Sequence, residues 1–288
     1  MGCKSKYYRR DQNKINFSYK RNVVIKKKMR KKKELKSTAR AVSIDPNTVL
    51  DVHDLIKTYT TGNSIVTALN KVNLTIKKGE FIAIVGPSGS GKTTLINCLG
   101  ALDFPDSGKI IYNVDSKGMG LDVTQMTNKQ HKKMRLRKIG LIFQFYNLFP
   151  ILTAYENVEL PMVIDKRDAK EREVKVKSLL KRIGLEERME HLPTQMSGGE
   201  QQRVTIARAL VNEPLIILAD EPTGELDTET TTNILKIFLD LKKAGESILM
   251  VTHNKRIAET ADRIITLTDG VFTDEVIGGK TLEEINKF

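Results

Sequence analysis

The chain has 288 residues, of which 40% are apolar and 6% aromatic, with no Trp. That is enough apolar surface to bury one substantial core, and it excludes a disordered or fibrous body and a fold built around aromatic stacking of bases. The net charge of +13 sits at one end: residues 1–40 hold 16 of the 48 basic side chains against Asp11 and Glu34, while the rest carries 32 basic and 33 acidic side chains and is electrically neutral.

In chain order, residues 1–46 form a Lys/Arg-dense leader ending at Pro46, predicted to be a disordered N-terminal extension. It lacks the apolar stretch of about 7 to 15 residues that a secretory signal needs. Three readings stand for it. It is a solvated extension or lies upstream of a start at Met29, it attaches to anionic lipid, or it meets nucleic acid or another acidic partner. Met1-Gly2-Cys3 invites lipidation, but the myristoylation pattern asks for Ser or Thr at position 6, where Lys6 stands.

Residues 49–84 read as short strands with turn residues at 61–63 and 77–79, an antiparallel β portion. Phe81–Val85 is a buried apolar strand feeding a glycine-rich loop, and residues 93–102 suit a helix. The stretch 112–124 is long and Gly-containing, and no element is assigned to it. Residues 139–143 read as a strand, and residues 154 to 190 as helical in period with a break at Gly184. Apolar strands follow at 215–219, 247–251 and 263–267, separated by helical segments at Thr228–Lys243 and 254–260. This alternation argues for a mainly parallel sheet covered on both faces. No run approaches about 18 consecutive apolar residues, so a membrane step would fall to a partner. Cys3 and Cys98 stand far apart outside any CxxC, which indicates neither a disulfide framework nor a zinc site and fits a reducing, cytoplasmic setting.

Gly86-Pro87-Ser88-Gly89-Ser90-Gly91-Lys92-Thr93, continuing into Thr94, is G-x-x-x-x-G-K-[ST] after a strand and before a helix. Glycines let backbone N–H groups curl around phosphate oxygens, and the helix N-terminus adds its positive end. Lys92 is expected on the β- and γ-phosphates of ATP and Thr93 on Mg²⁺. A functionless Gly-rich turn is the competing reading, and the strand and helix on either side argue against it. The strand at 215–219 ends in Asp220 and Glu221: the first is expected on the metal through its hydration shell, the second on the attacking water. Taken alone, such a strand end is as often plain solvated surface.

Met196-Ser197-Gly198-Gly199-Glu200-Gln201-Gln202-Arg203, followed by Ala207-Arg208-Ala209-Leu210, resembles the signature motif of ATP-binding-cassette (ABC) ATPases. Ser197 and the glycines would open a helix and make a second phosphate cradle. The resemblance covers residues 49–275 and implies an α/β fold: a P-loop NTPase core with a mainly parallel sheet, an antiparallel β subdomain and an inserted α-helical subdomain near 145–212, all within 47–288. It implies that the two cradles lie at opposite ends of the domain, so that Lys92 of one protomer and Ser197 of its partner clasp one γ-phosphate in a head-to-tail homodimer. It further implies that Gln144 senses Mg²⁺ and γ-phosphate, Asp227 lies at the dimer interface, His253 contacts the γ-phosphate and Tyr59 stacks on adenine. Each has a bland reading in isolation: a surface His, an uninformative Gln, a Tyr packed on the β portion.

Within that family, residues 144–148, 152–161 and 220–224 look most like the lipoprotein-release and macrolide-export (LolD/MacB-like) branch, which implies integral membrane permease partners of FtsX-like type and a peripheral place on the cytoplasmic face of the membrane. Two departures stand out: Met196 replaces the usual Leu, and Glu225 occupies a position often filled by a small or amide residue. A soluble ABC ATPase acting on nucleic acid or ribosomes is the alternative, but such relatives carry long coiled-coil insertions or two cassettes, and this chain shows neither.

Overall fold

The computed structural model describes residues 41–62, 64–115 and 118–285. Of the extension expected to be disordered over residues 1–46, residues 1–40, with their lipid, nucleic-acid and lipidation readings, lie outside the described residues, whereas Ala41–Ser43 form a strand. Five strands, β1 (Ala41–Ser43), β2 (Thr48–Thr61), β3 (Ser64–Lys77), β5 (Ser107–Asn113) and β6 (Met119–Asp122), form an antiparallel sheet in the order β1-β6-β5-β2-β3. In place of several short strands, residues 48–77 make two long ones of 14 residues each. Their pairing is interrupted by register shifts, as between Val52 and Leu55, which break the alternation that marks a strand in sequence.

The second sheet runs β11-β10-β4-β9-β8-β7, with β4 (Phe81–Val85), β7 (Ile139–Ile142), β8 (Ile216–Asp220), β9 (Ile248–Val251) and β10 (Arg263–Thr268) parallel and β11 (Val271–Ile277) antiparallel at the edge. Every residue of β4, β8 and β9 is buried. That is why these strands read as unbroken apolar runs: both faces are covered. Phe81, Ala83, Ile217 and Met250 face one core, where Val158, Leu180, Ile206 and Phe238 lie. Ile82, Ile84, Leu218 and Leu249 face the other, shared with Leu50, Leu74 and Ile76 of the antiparallel sheet. Each of these side chains larger than alanine contributes roughly 1.5–3 kcal/mol by burial, enough to lock the strand order against local propensity.

The helices among the described residues are α1 (Lys92–Leu99), α2 (Asn128–Arg137), α3 (Ala154–Ile164), α4 (Ala169–Arg182), α5 (Gly198–Leu210), α6 (Thr228–Lys243), α7 (Lys255–Ala258) and the short α8 (Leu282–Ile285). Helices α3, α4 and α5 fall between β7 and β8. The helical run expected from residue 154 to 190 is broken twice, at Lys166 (φ +62°) as well as at Gly184 (φ +70°). Its pieces start at sequence-encoded caps: Thr153 with Glu156 forms a capping box on α3, and Asp168 accepts from the Lys170 N–H on α4. Among the described residues no helix is long and apolar enough to cross a membrane.

Candidate active site

Parallel strands β4, β9, β8 and β7 bring their C-terminal ends to one edge. Ile84 pairs with Val251, Val251 with Asp220, and Ala219 with Ile142. The chain leaving these ends carries Gly86, His253, Glu221 and Gln144, so four segments far apart in sequence converge. This edge is where open α/β sheets bind ligands.

The loop after β4 is tight enough to demand its glycines. A Cβ on Gly91, at φ +102°, would lie 2.2 Å from the Ala68 carbonyl oxygen, and one on Gly86 would lie 2.1 Å from that of Leu267. No side chain caps α1 at Gly91, which leaves its first N–H groups available to an anion. Lys92 is buried and donates to the carbonyls of Gly86 (2.9 Å) and Pro87 (2.8 Å), so its ammonium lies folded against the loop. The Ser90 hydroxyl is buried without a partner. Pro87, Ser88 and Gly89 are exposed at the loop's crest.

Asp220 is 8% exposed, and its Oδ1 has no hydrogen-bond partner. Burial raises its carboxyl above the ordinary Asp range, a bond from Thr93 pulls it back, and the neighbouring Glu221 charge pushes it up again. A buried carboxylate with a free oxygen beside a threonine hydroxyl is a hard-oxygen donor set that suits Mg²⁺. Glu221 follows at φ +48°, a conformation uncommon for a side-chain-bearing residue and typical of functional positions. Its N–H donates to Val251 O (2.9 Å), and its Oε2 lies 2.5 Å from Nδ1 of His253. The expected water-activating acid and the expected γ-phosphate contact are thus in direct contact with each other.

Tyr59 lies beside the loop's helix, where Thr94 hydrogen-bonds to it. Burial raises its phenol above the usual range, the bond to Asp103 adds to this, and the Thr94 bond opposes it. Its hydroxyl donates to Asp103 Oδ2 at 2.7 Å, and the Lys57 ammonium stands 5.0 Å from its ring centroid. Burial works against ionisation of Asp103, but bonds from Lys57 and Tyr59 outweigh it and hold that carboxyl low.

Ser197 caps α5 by accepting from the Glu200 N–H (3.2 Å), and Glu200 returns a bond to the Ser197 N–H (2.8 Å). A Cβ on Gly198 would meet the Tyr146 hydroxyl at 2.6 Å, and one on Gly199 would meet Thr230 Cγ2 at 2.3 Å. The nearest neighbours of these glycines therefore come from the segments after β7 and β8. Asp227 is exposed and caps α6, accepting from the Thr230 N–H (2.9 Å) and hydroxyl (2.6 Å). Gln144 Nε2 donates to Glu225 Oε1 at 3.0 Å. Asp103 and Glu225 were not visible as partners in sequence, because their contacts join residues 44 and 81 positions apart. Arg208, which the signature stretch contains but gives no role, donates to the carbonyls of Asn147 (2.7 Å) and Tyr146 (3.0 Å) and so pins the segment after Gln144 to α5.

A glycine loop, an uncapped helix start, a buried lysine and two acids at one sheet edge define a P-loop protein that hydrolyses nucleoside triphosphates. Comparison with known proteins sharpens this. The family model described as ABC transporter matches residues 69–224. A lipoprotein-releasing system ATP-binding protein, LolD of Cytophaga hutchinsonii, is 44% identical over 77% of this chain and 98% of its own. The macrolide export ATP-binding/permease protein MacB of Chlorobaculum tepidum is 45% identical over 79% of this chain, which spans about a third (34%) of it. The solved dimeric structure of the ATP-binding cassette MJ0796 in a post-hydrolysis state with ADP and Pi superposes with a TM-score of 0.72 at 41% identity, covering 81% of this chain and 100% of that one. The chain belongs to the ABC transporter ATP-binding family, and it is an ABC ATPase.

Proposed function

We propose that this ABC transporter ATP-binding subunit drives export or mechanotransmission by membrane permease subunits, through ATP-dependent head-to-tail dimerisation. The observation that carries the reading is that neither phosphate cradle closes on the other: the nearest neighbours of the glycines after Ser197 are Tyr146, Leu226 and Thr230, while Lys92 closes on the loop after β4. A second protomer supplies what one lacks, and MJ0796, whose structure is a dimer, is similar over 81% of this chain.

In this reading Lys92 exchanges its two loop carbonyls for phosphate oxygens. Glu221 accepts a proton from the attacking water, and His253, already in contact with it, holds that carboxylate in place. Asp220, Thr93 and Gln144 would hold Mg²⁺, which when bound neutralises charge developing on the β- and γ-phosphate oxygens. Asp227 and Ser197 meet the partner protomer, and Tyr59 meets adenine.

Support for a permease comes from the surface after Gln144. Phe145, Phe149 and Ile151 are 67%, 51% and 82% exposed, three large apolar side chains turned to solvent within one short stretch of chain. Arg208 and Asn157 hold the backbone that presents it. The LolD and MacB relatives favour permease partners of the FtsX-like type that the branch resemblance implies, and hence a peripheral position on the membrane. The nucleic-acid alternative gains nothing here, since the longest described helix has 16 residues, too short for a coiled-coil arm.

Glu221→Gln is the direct test. ATP binding by fluorescence titration is expected to persist, phosphate release to fall by at least about 100-fold, and ATP to trap a dimer on size exclusion. Unchanged phosphate release would remove Glu221 from the mechanism.

A further inference from the structure

We propose that Glu225 is a positioning residue for Gln144, fixing its carboxamide so that the oxygen, and not the nitrogen, is free for the metal and phosphate. The inference rests on the reading of Gln144 as a metal ligand given above.

An ionised carboxylate only accepts hydrogen bonds. With Gln144 Nε2 donating to Glu225 Oε1 at 3.0 Å, the NH₂ group is turned to Glu225 and Oε1 is left as the available acceptor. Only that oxygen can bind a cation, so an amide turned the other way would aim two N–H donors at Mg²⁺. An unrestrained glutamine samples both orientations, because its terminal torsion is broad and roughly two-fold.

The chain is shaped to keep the pair together. A Cβ on Gly224 would stand 3.3 Å from Gln144 Nε2 and 3.5 Å from its Cγ, so the glutamine lies along the bare side of that glycine. The Gly224 N–H donates to Glu221 O at 3.1 Å, placing Glu225 on the turn that carries the water-activating acid. Glu225 thereby ties the segment after β7 to the segment after β8, and the orientation of Gln144 is referred to the position of Glu221. A small or amide residue at 225 does not impose this: the first has no acceptor, and the second both donates and accepts.

The test uses the full chain bound to a non-hydrolysable ATP analogue, with Mn²⁺ as the probe and its affinity read by electron paramagnetic resonance. Glu225→Ala is expected to weaken Mn²⁺ binding about three- to tenfold, the net worth of one solvent-exposed hydrogen bond. Nucleotide affinity in the presence of chelator and the melting temperature are expected to stay at wild-type values, as they would not if the residue were merely structural. Glu225→Gln, which keeps one acceptor oxygen, is expected to fall between. In a Gln144→Ala background Glu225→Ala is expected to have no further effect. Wild-type Mn²⁺ affinity in Glu225→Ala while Gln144→Ala is impaired would overturn the proposal, as would an equal loss in both backgrounds. Wild-type affinity in Gln144→Ala would instead bring down the reading of Gln144 itself.

Discussion

Asp220 is a charge that folding strips of water and supplies with too few partners: it is 8% exposed and one of its oxygens is unbonded. Its carboxyl is raised by burial first, with Thr93 opposing. A raised folded-state value means that the fold favours the protonated form. The stability this gives is fully present below the ordinary Asp range and is lost as pH rises through the raised value. Asp220→Asn mimics the protonated state, so without nucleotide it is expected to melt at or above wild type at pH 7, with the gap closing toward pH 4. Magnesium-dependent phosphate release is expected to fall in the same variant. Thermal melts across that pH range check the first claim, and a variant less stable than wild type at pH 7 would show that Asp220 is already satisfied. The sequence makes the acids themselves legible, as the end of an apolar strand. Their environment was not legible: the positive φ of Glu221 and its contact with His253 depend on β8 and β9 lying side by side.

Elements were legible wherever burial imposes a period. Phe81–Val85 and Thr228–Lys243 match their expected bounds, because the first is buried on both faces and the second carries buried Ile234, Leu235, Phe238 and Leu241 on one stripe. Helix α2 escaped notice because only His131 and Met134 of its ten residues are buried, and β11 because none of its residues is. The segment after β7 has no period at all, and side-chain bonds fix it. Asn157, fully buried, accepts from the Phe149 N–H (2.8 Å) and donates to the carbonyls of Phe149, Leu152 and Thr153 (3.1, 2.9 and 3.0 Å). Asn157→Ala leaves these backbone groups short of partners, a loss of about 2–4 kcal/mol and roughly 5–10 °C in melting temperature. Asn157→Asp is expected to be worse at pH 7, since it keeps the acceptor but turns a carboxylate toward three carbonyls. Calorimetry of the pair decides the point: an Asp variant at least as stable as the Ala one would mean that donor bonds do not hold this loop.

At the scale of the molecule the question is how two cradles become one site. The edge formed by β4, β9, β8 and β7 gathers Lys92, Asp220, Glu221, His253 and Gln144, whereas Ser197 opens α5 against Tyr146, Leu226 and Thr230. If each catalytic site takes Lys92 from one protomer and Ser197 from the other, defects in the two residues must complement. Lys92→Ala and Ser197→Arg are each expected to abolish phosphate release on their own, and Ser197 is exposed, so the arginine blocks the cradle without entering the core. In a mixed dimer one site inherits both defects and the other inherits neither. Mixing the two variants is therefore expected to restore a part of the activity, about half per mixed dimer and about a quarter over a randomly paired population. Recovery should rise with the fraction of mixed dimers and vanish when either variant is omitted. A mixture that stays inactive while both variants keep wild-type melting temperatures would mean that Lys92 and Ser197 do not share a nucleotide across two protomers.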